Sequence, residues 1–112
     1  TLRAGLEPIL DGPFAIYGAP AKLTTMLAAI PMLRKAKCVF DDNPEKIGKW
    51  TPATHLPINP PLALTRANEG VLLGTLFLAS HNFASEIIPR LRQQGYCGKI
   101  IVPFPELKVI NA

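Results

Sequence analysis

The sequence predicts an α/β domain in which a parallel sheet of about four to five strands is flanked by helices. Short apolar runs typical of buried strands alternate with longer segments of helical periodicity. The run at 71–79 is apolar almost without interruption, as in a strand covered on both faces. The chain has 112 residues, enough for one domain with one core. We therefore expect residues 1–112 to form a single domain.

The first predicted elements are a helix, a strand and a second helix. Residues 2–11 can form a short helix that Gly12-Pro13 ends. Residues 14–17 are predicted as the first strand. A helix is predicted from Pro20, because apolar residues follow at helical spacing, namely Leu23, Met26, Leu27 and Ile30. Pro31 should end or kink it.

The remaining elements repeat the alternation of strand and helix. Residues 37–41 are predicted as the second strand. Whether a short strand forms near 55–58 is not decided by the sequence. Residues 71–79 are the third strand. The helix after it is indicated by Ala84, Ile87, Ile88 and Leu91, and Gly95 ends it. Residues 99–102 are predicted as the fourth strand. Whether residues 107–110 add an edge strand is not decided by the sequence. This order indicates a Rossmann-like fold with right-handed crossovers.

Two five-residue stretches of the chain resemble each other, and each follows a strand and a turn. The stretch Ile30-Pro31-Met32-Leu33-Arg34 resembles Ile88-Pro89-Arg90-Leu91-Arg92. Two copies of one βαβ unit could produce this similarity, and so could chance.

Composition narrows the classes of partner and compartment. The net charge is +4, and no stretch interleaves Lys or Arg with aromatic residues, so a nucleic-acid partner is not expected. Cys38 and Cys97 form no C-x-x-C pair, which argues against structural zinc and against a disulfide-built fold. No apolar run reaches ~18 residues, so no membrane partner is expected. No signal peptide is visible, so a cytoplasmic location is expected.

The turn after the first strand has features of an anion site. Gly18 permits a tight turn and a close ligand, and Pro20 suits the first helical position. The helix start and Lys22 would then face an anion such as phosphate or pyrophosphate. Lys22 is otherwise unfavourable there, although an exposed and screened lysine costs only ~0.3–1 kcal/mol. A dinucleotide loop is not indicated, because only the first Gly of G-x-G-x-x-G is present.

Two further turns follow strand ends that should lie at the same edge of the sheet. Asp41 and Asp42 end the second strand, where nucleotide-binding folds grip a ribose hydroxyl. An Asx turn with Asn43-Pro44 explains Asp42 and Asn43 equally well. The third turn is 80–82, after the strand at 71–79, and in it Asn82 suits the N-cap of the next helix. His81 could act as a base or donor, although a lone His is more often structural.

Four stretches together resemble a known family. They are IYGAPAKLTTML, VFDDNPEKIGKWTPATHLPI, LASHNFASEIIPRLRQQG and KIIVPFPELKVI. In order and spacing they resemble the C-terminal domain of the sugar C-methyltransferases, which use S-adenosylmethionine to methylate a carbon of a nucleotide-linked deoxysugar. The resemblance spans roughly residues 13–110.

The resemblance implies a nucleotide-diphosphate sugar lying between this domain and a central methyl-donor domain. S-adenosylmethionine and zinc would belong to other parts of such an enzyme, so we expect this chain to bind no cofactor and to contain no catalytic residue. The diphosphate would be held near the first turn, and the neighbouring rim would be lined by the second and third turns. The implied substrate-binding residues are Tyr17, Gly18, Ala19, Lys22, Asp41, Asp42, Asn43, Lys46, His81 and Asn82.

Two departures from the family pattern are visible. His81 stands where the family usually has Trp, and Pro52-Ala53-Thr54 stands where it usually has Pro-Gly-Thr. We expect a nucleotide-sugar-binding domain that cannot methylate alone and that works with a methyltransferase domain in cis or in trans. The alternatives are a free-standing nucleotide- or phosphate-binding regulatory module, and a small enzyme with His81 as base. A lone domain should also expose apolar surface and could pair with itself.

Overall fold

The computed structural model describes residues 5, 10, 13–20, 22–52, 54–60, 74–96, 98–104 and 106–110. The helices and strands with fully described bounds follow one another in a single order. They are β1 (Phe14–Tyr17), α1 (Leu23–Ala29), a 3-10 helix (Pro31–Lys35), β2 (Val39–Phe40), β3 (Ile58–Asn59), β4 (Thr75–Leu78), a second 3-10 helix (His81–Phe83), α2 (Ala84–Gln93), β5 (Lys99–Val102) and β6 (Lys108–Ile110).

These strands form one mostly parallel sheet in the order β3-β2-β1-β4-β5-β6. The first five are parallel, whereas β6 runs antiparallel to β5. The chain moves outward from β1 to β3 and then crosses back to β4 on the other side of β1. The predicted α/β fold with a Rossmann-like parallel sheet is confirmed. Both strands that the sequence leaves undecided are present, although the first lies at Ile58–Asn59 rather than at 55–58, so the sheet has six strands rather than four to five.

The sheet is covered on both faces by apolar clusters. On one face, β1 residues Phe14 and Ile16 pack with Leu23 and Leu27 of α1. On the other face, alternate residues of β1, β2 and β4 pack with Ile87 and Leu91 of α2. The two helices therefore lie on opposite sides of the sheet. Because β1 and β4 are buried at every position, their sequences do not alternate between apolar and polar residues, and the only polar residue among them is the buried Thr75.

Several predicted boundaries are wrong at the helix starts. The helix predicted from Pro20, α1, begins at Leu23 instead, and Lys22 is its N-cap residue. The backbone N–H of Leu23 donates to the carbonyl of Pro20 at 2.9 Å, so these residues form a turn ahead of the helix. Pro31 does follow the end of α1, and a 3-10 helix continues from it to Lys35.

Asn82 was predicted to cap the helix after β4, and this prediction is also wrong. Asn82 lies within the 3-10 helix His81–Phe83, and the N-cap residue of α2 is Phe83, without a side-chain hydrogen bond. Of the predicted helix at 2–11, the structure describes only Gly5, which is helical, and Leu10, which is not. The beginning of the predicted third strand, 71–73, and Cys97 lie outside the described residues.

The end of α2 is tied to the start of β5 by Arg92. Its guanidinium donates to the carbonyls of Tyr96 and Gly98 at 2.9 and 2.8 Å. Tyr96 itself is buried, and its hydroxyl donates to the carbonyl of Lys99 at 3.3 Å. Within the part of the chain that the structure describes, no helix is long and apolar enough to cross a bilayer.

Alkaline titration should destabilise the fold through Tyr96. Desolvation by burial raises the pKa of Tyr96 to about 12, from an ordinary value of 10.0. The unfolded tyrosine therefore ionises first, so the contribution of Tyr96 to stability is present below pH 10 and is lost as the pH rises to about 12. We expect the urea midpoint to fall across this interval, together with a late rise of tyrosinate absorbance.

The control for this prediction is Tyr96→Phe. Burial also raises the pKa of Tyr17, so the variant should retain a smaller alkaline loss. An identical fall in the midpoint in wild type and variant would contradict the assignment to Tyr96.

Candidate functional site

The carboxyl ends of three neighbouring strands meet at one edge of the sheet. Tyr17, the last residue of β1, pairs with Phe40 of β2 on one side and with Leu78 of β4 on the other. The strand order reverses between β1 and β4, which makes this a topological switch point. In open α/β sheets, ligands bind in the crevice beyond such a point.

Gly18 and Ser80 meet where the chain leaves β1 and β4. Gly18 has a φ of +95°, and a Cβ at this position would lie 1.9 Å from the Ser80 hydroxyl oxygen. Its backbone N–H donates to the carbonyl of Phe40 at 2.6 Å. Only glycine allows this close crossing. The predicted need for Gly18 is therefore explained by a protein contact.

Asp41 binds the backbone of two turns. One carboxylate oxygen accepts the N–H of Ala19 at 2.6 Å, and the other accepts the N–H of Asn43 at 2.8 Å. Asp41 is buried, with 8% of its surface exposed. The ammonium of Lys46 donates a hydrogen bond to the carbonyl of Ala19. Asp41 and Lys46 thus fix the turn after β1 against the turn after β2.

Asp42 points in a different direction from Asp41. Its carboxylate lies 3.7 Å from the guanidinium of Arg90 on α2, in an exposed ion pair. The same guanidinium lies 3.5 Å from the Tyr17 hydroxyl, which accepts its hydrogen bond. Burial raises the pKa of Tyr17, so this phenol stays protonated at neutral pH. The three side chains form a polar group at the carboxyl edge.

This polar group lines a cleft of about 280 Å³ on the α2 side of the edge, which we call the α2-face cleft. Besides the polar group, it is bounded by the β1–β4 crossing and by the first turns of α2. Its lining residues are Tyr17, Gly18, Asp41, Asp42, Ser80, Phe83, Glu86, Ile87 and Arg90.

A second cleft, of about 260 Å³, lies on the α1 side and shares Ser80 and Phe83 with the first. We call it the α1-face cleft. Lys22 provides its cationic group, and His81 and Asn82 line it as well. The Nδ1 of His81 lies 3.3 Å from the carbonyl of Ala79, and its ring packs against Phe104 with 5.0 Å between centroids. These two contacts fix the orientation of the His81 ring.

A third, more apolar groove of about 330 Å³ continues on the α1 face. Trp50 lines it with 61% of its surface exposed, and Lys46 and Lys49 lie beside it. Trp50 is held at the rim because Trp50 and Pro57 form an antiparallel bridge.

All ten predicted substrate-binding residues lie at or next to this edge, but they do not form one pocket. Tyr17, Gly18, Asp41 and Asp42 line the α2-face cleft, whereas Lys22, His81 and Asn82 line the α1-face cleft. Ala19 and Lys46 border the Trp50 groove, and Asn43 binds Asp41. Their substrate-binding roles stay predictions.

Sequence reasoning missed Arg90, Ser80, Phe83 and Glu86. Helical periodicity places Arg90 on the outer side of α2, and nothing local indicates that α2 brings it over Tyr17, 73 residues away in sequence. An exposed aromatic at the start of a helix, Phe83, was the one usable signal.

Metal binding is not indicated by the described residues. Among them, no group of three or more His, Cys, Asp or Glu side chains is arranged to hold a metal ion. Cys38 is a buried free thiol, and burial raises its pKa, which makes it a poor nucleophile.

Comparison with known proteins agrees with the fold and identifies a family. The family model described as "C-methyltransferase C-terminal domain" matches residues 12–105. Among solved structures, UDP-D-quinovosamine 4-dehydrogenase from Vibrio fischeri superposes with a TM-score of 0.60, at 22% identity, over 88% of this chain and 93% of that chain. At this identity the likeness shows the fold alone. No curated protein sequence matches the chain.

Proposed function

The chain belongs to the C-methyltransferase C-terminal domain family, and from this premise we propose that it is the nucleotide-sugar-binding domain of a sugar C-methyltransferase. The family match over residues 12–105 is the observation that carries the proposal. In this proposal the chain does not transfer methyl groups alone. S-adenosylmethionine and zinc are bound by other parts of the enzyme, in cis or in trans.

The position of the clefts supports a ligand at the carboxyl edge. Two clefts flank the switch point between β1 and β4, where α/β sheets bind nucleotides. Between them Gly18 packs against Ser80, and Ser80 lines both clefts. A ligand longer than one ring can therefore reach both clefts.

Charge supports a diphosphate on the α1 side. Lys22 is exposed and lines the α1-face cleft, and Lys46 and Lys49 line the adjacent groove. No carboxylate is among the described residues that line the α1-face cleft or the groove. Because the Ala19 N–H is already bound to Asp41, lysine side chains rather than that amide supply the positive charge.

The described site does not contain a set of residues for methyl transfer on its own. His81 is the histidine of the clefts, and its ring is in contact with Ala79 and Phe104 rather than with a carboxylate or nucleophile. This arrangement favours binding over catalysis. It also disfavours the small enzyme with His81 as base.

Calorimetric titration with dTDP, UDP, dTDP-glucose, S-adenosylmethionine and NAD tests the proposal. We expect the nucleoside-diphosphate sugar, dTDP-glucose, to bind. S-adenosylmethionine and NAD are expected not to bind. Lys22→Ala should weaken that binding about tenfold, because one charge-assisted contact is worth ~1.5 kcal/mol or more.

Lys37→Ala is the matched control for this prediction. Lys37 is exposed, and its backbone N–H binds Phe14 at the opposite edge of the sheet. Its loss should leave affinity unchanged. Tight binding of S-adenosylmethionine or NAD, or silence with every nucleotide, would count against the proposed function.

A further inference from the structure

We infer that the α2-face cleft binds a neutral polyhydroxylated ring of the ligand and excludes the diphosphate. This inference rests on the proposed function and divides the ligand between the two clefts. The ring lies beside Arg90, Asp42 and Tyr17, and the phosphates lie across the Gly18–Ser80 crossing near Lys22.

The charge of the α2-face cleft argues against a diphosphate. Three carboxylates line it, from Asp41, Asp42 and Glu86, against one guanidinium, from Arg90, so its formal charge is −2. Asp41 is engaged by two backbone N–H groups, and Asp42 already offsets Arg90 at 3.7 Å. A bound diphosphate would therefore face the Asp42 and Glu86 carboxylates at short range, and like charges repel.

The same groups suit sugar hydroxyls. A hydroxyl is both a donor and an acceptor, so it can bind a carboxylate and a guanidinium at once. Asp42 accepts, Arg90 donates, and the Tyr17 and Ser80 hydroxyls can do either. The long separations of 3.7 and 3.5 Å within the polar group leave these side chains available to a ligand.

Shape supports one ring rather than a whole nucleotide. The cleft volume of about 280 Å³ is just below the ~300–1,000 Å³ of pockets that hold drug-sized ligands. Phe83 lines it and has 58% of its surface exposed. An aromatic wall with a few directed polar groups is the usual design of a small-molecule site, and the apolar face of a sugar ring can lie on it.

The two clefts have opposite charge, and this difference assigns the diphosphate to the α1-face cleft. The α1-face cleft shares Ser80 and Phe83 with the α2-face cleft but has Lys22 in place of the carboxylates. A sugar nucleotide that spans both clefts thus satisfies each one with a different part. The ring in the α2-face cleft can be the hexose or the ribose, which share this chemistry.

Amide chemical shifts of the 112-residue chain test this division. The probes are UDP-glucose, UDP and inorganic pyrophosphate, with dTDP-glucose and dTDP in parallel. We expect a sugar nucleotide to shift the amides of Asp42, Glu86 and Ile87, which line the α2-face cleft and not the α1-face cleft, and pyrophosphate to shift those near Lys22 only. Shifts on the α2 face with UDP indicate the ribose, and shifts only with UDP-glucose indicate the hexose.

Asp42→Asn gives a result of opposite sign for the two arrangements. If the cleft binds a ring, losing the carboxylate should weaken UDP-glucose binding about tenfold and leave pyrophosphate binding unchanged. If it binds the diphosphate, removing the negative charge should strengthen both. Arg90→Ala should likewise weaken binding of UDP-glucose and not of pyrophosphate. Glu106→Gln, which removes an exposed carboxylate outside the cleft, is the matched control.

The outcomes separate the inference from the proposed function. If a sugar nucleotide binds but shifts only the α1 face, or if Asp42→Asn strengthens its binding, the inference is overturned and the proposed function stands. If no nucleotide or pyrophosphate shifts any amide of either cleft, both are overturned.

Discussion

Replacing Gly18 with Ala is expected to lower the free energy of unfolding by about 3 kcal/mol. An L-residue at positive φ costs roughly 1–2 kcal/mol, and the φ of Gly18 is +95°. The new Cβ would also lie 1.9 Å from the Ser80 hydroxyl oxygen and 2.7 Å from its Cβ. Relieving such overpacking costs about 1–3 kcal/mol. Urea denaturation followed by circular dichroism measures the sum.

Gly48→Ala separates the two contributions. Gly48 has a φ of +85°, but an added Cβ there meets no atom within 4 Å. Gly48→Ala should therefore cost only about 1 kcal/mol, from the backbone conformation. Ser80→Gly should recover part of the loss in Gly18→Ala. Equal losses for Gly18→Ala and Gly48→Ala would show that the β1–β4 crossing is not tightly packed.

Replacing Asp41 with Asn is expected to cost about 2 kcal/mol of stability. The carboxylate accepts two backbone N–H groups, from Ala19 and Asn43. An amide has a single oxygen, so one of these donors loses its partner, and an unsatisfied donor costs ~1–3 kcal/mol. The same change should loosen the turn after β1, which we expect to appear as faster hydrogen exchange at Ala19.

Asp42→Asn is the matched control, because it makes the same chemical change one residue away. The Asp42 carboxylate is exposed and lies 3.7 Å from Arg90, and exposed ion pairs contribute ~0–1 kcal/mol. Its stability should change by less than about 0.5 kcal/mol. If both variants lose stability equally, the hydrogen bonds of Asp41 do not explain its burial.

The strands were predictable where the chain marks their ends. Residues 99–102 match β5, since Gly98 precedes them and Pro103 follows them. Residues 14–17 match β1 for a similar reason, with Pro13 before and Gly18 after. β2 is shorter than predicted, Val39–Phe40 rather than 37–41. Its partners β1 and β3 pair with it at only two positions each, and a single sequence does not contain that information.

The helix starts were predicted less well, because local rules compete there with contacts distant in sequence. Pro20 suits a first helical turn, yet Asp41 holds the N–H of Ala19, and the helix starts only at Leu23. The two similar five-residue stretches show the same limit of local sequence rules. Residues 30–34 pass through a 3-10 helix, whereas residues 88–92 lie within α2, with Pro89 inside the helix. The same residue pattern gives two structures.

The candidate site was predictable as an edge but not as two clefts. That the strand-end turns would meet follows from parallel pairing alone. The division into an acidic and a basic side depends on the opposite placement of α1 and α2, and on where Arg90 falls along α2. Those facts come from packing between segments far apart in the chain, such as Arg90 and Tyr17.

The antiparallel direction of β6 has a consequence for where the chain enters and leaves the sheet. β1 begins, and β6 ends, on the side of the sheet away from the clefts, since Phe14 pairs with Thr75 and Ile110 pairs with Ile100. The four residues of β1 rise about 13 Å between that side and the clefts. Contacts made by Phe14 and Ile110 are thus separated from a ligand in the clefts by the height of the sheet.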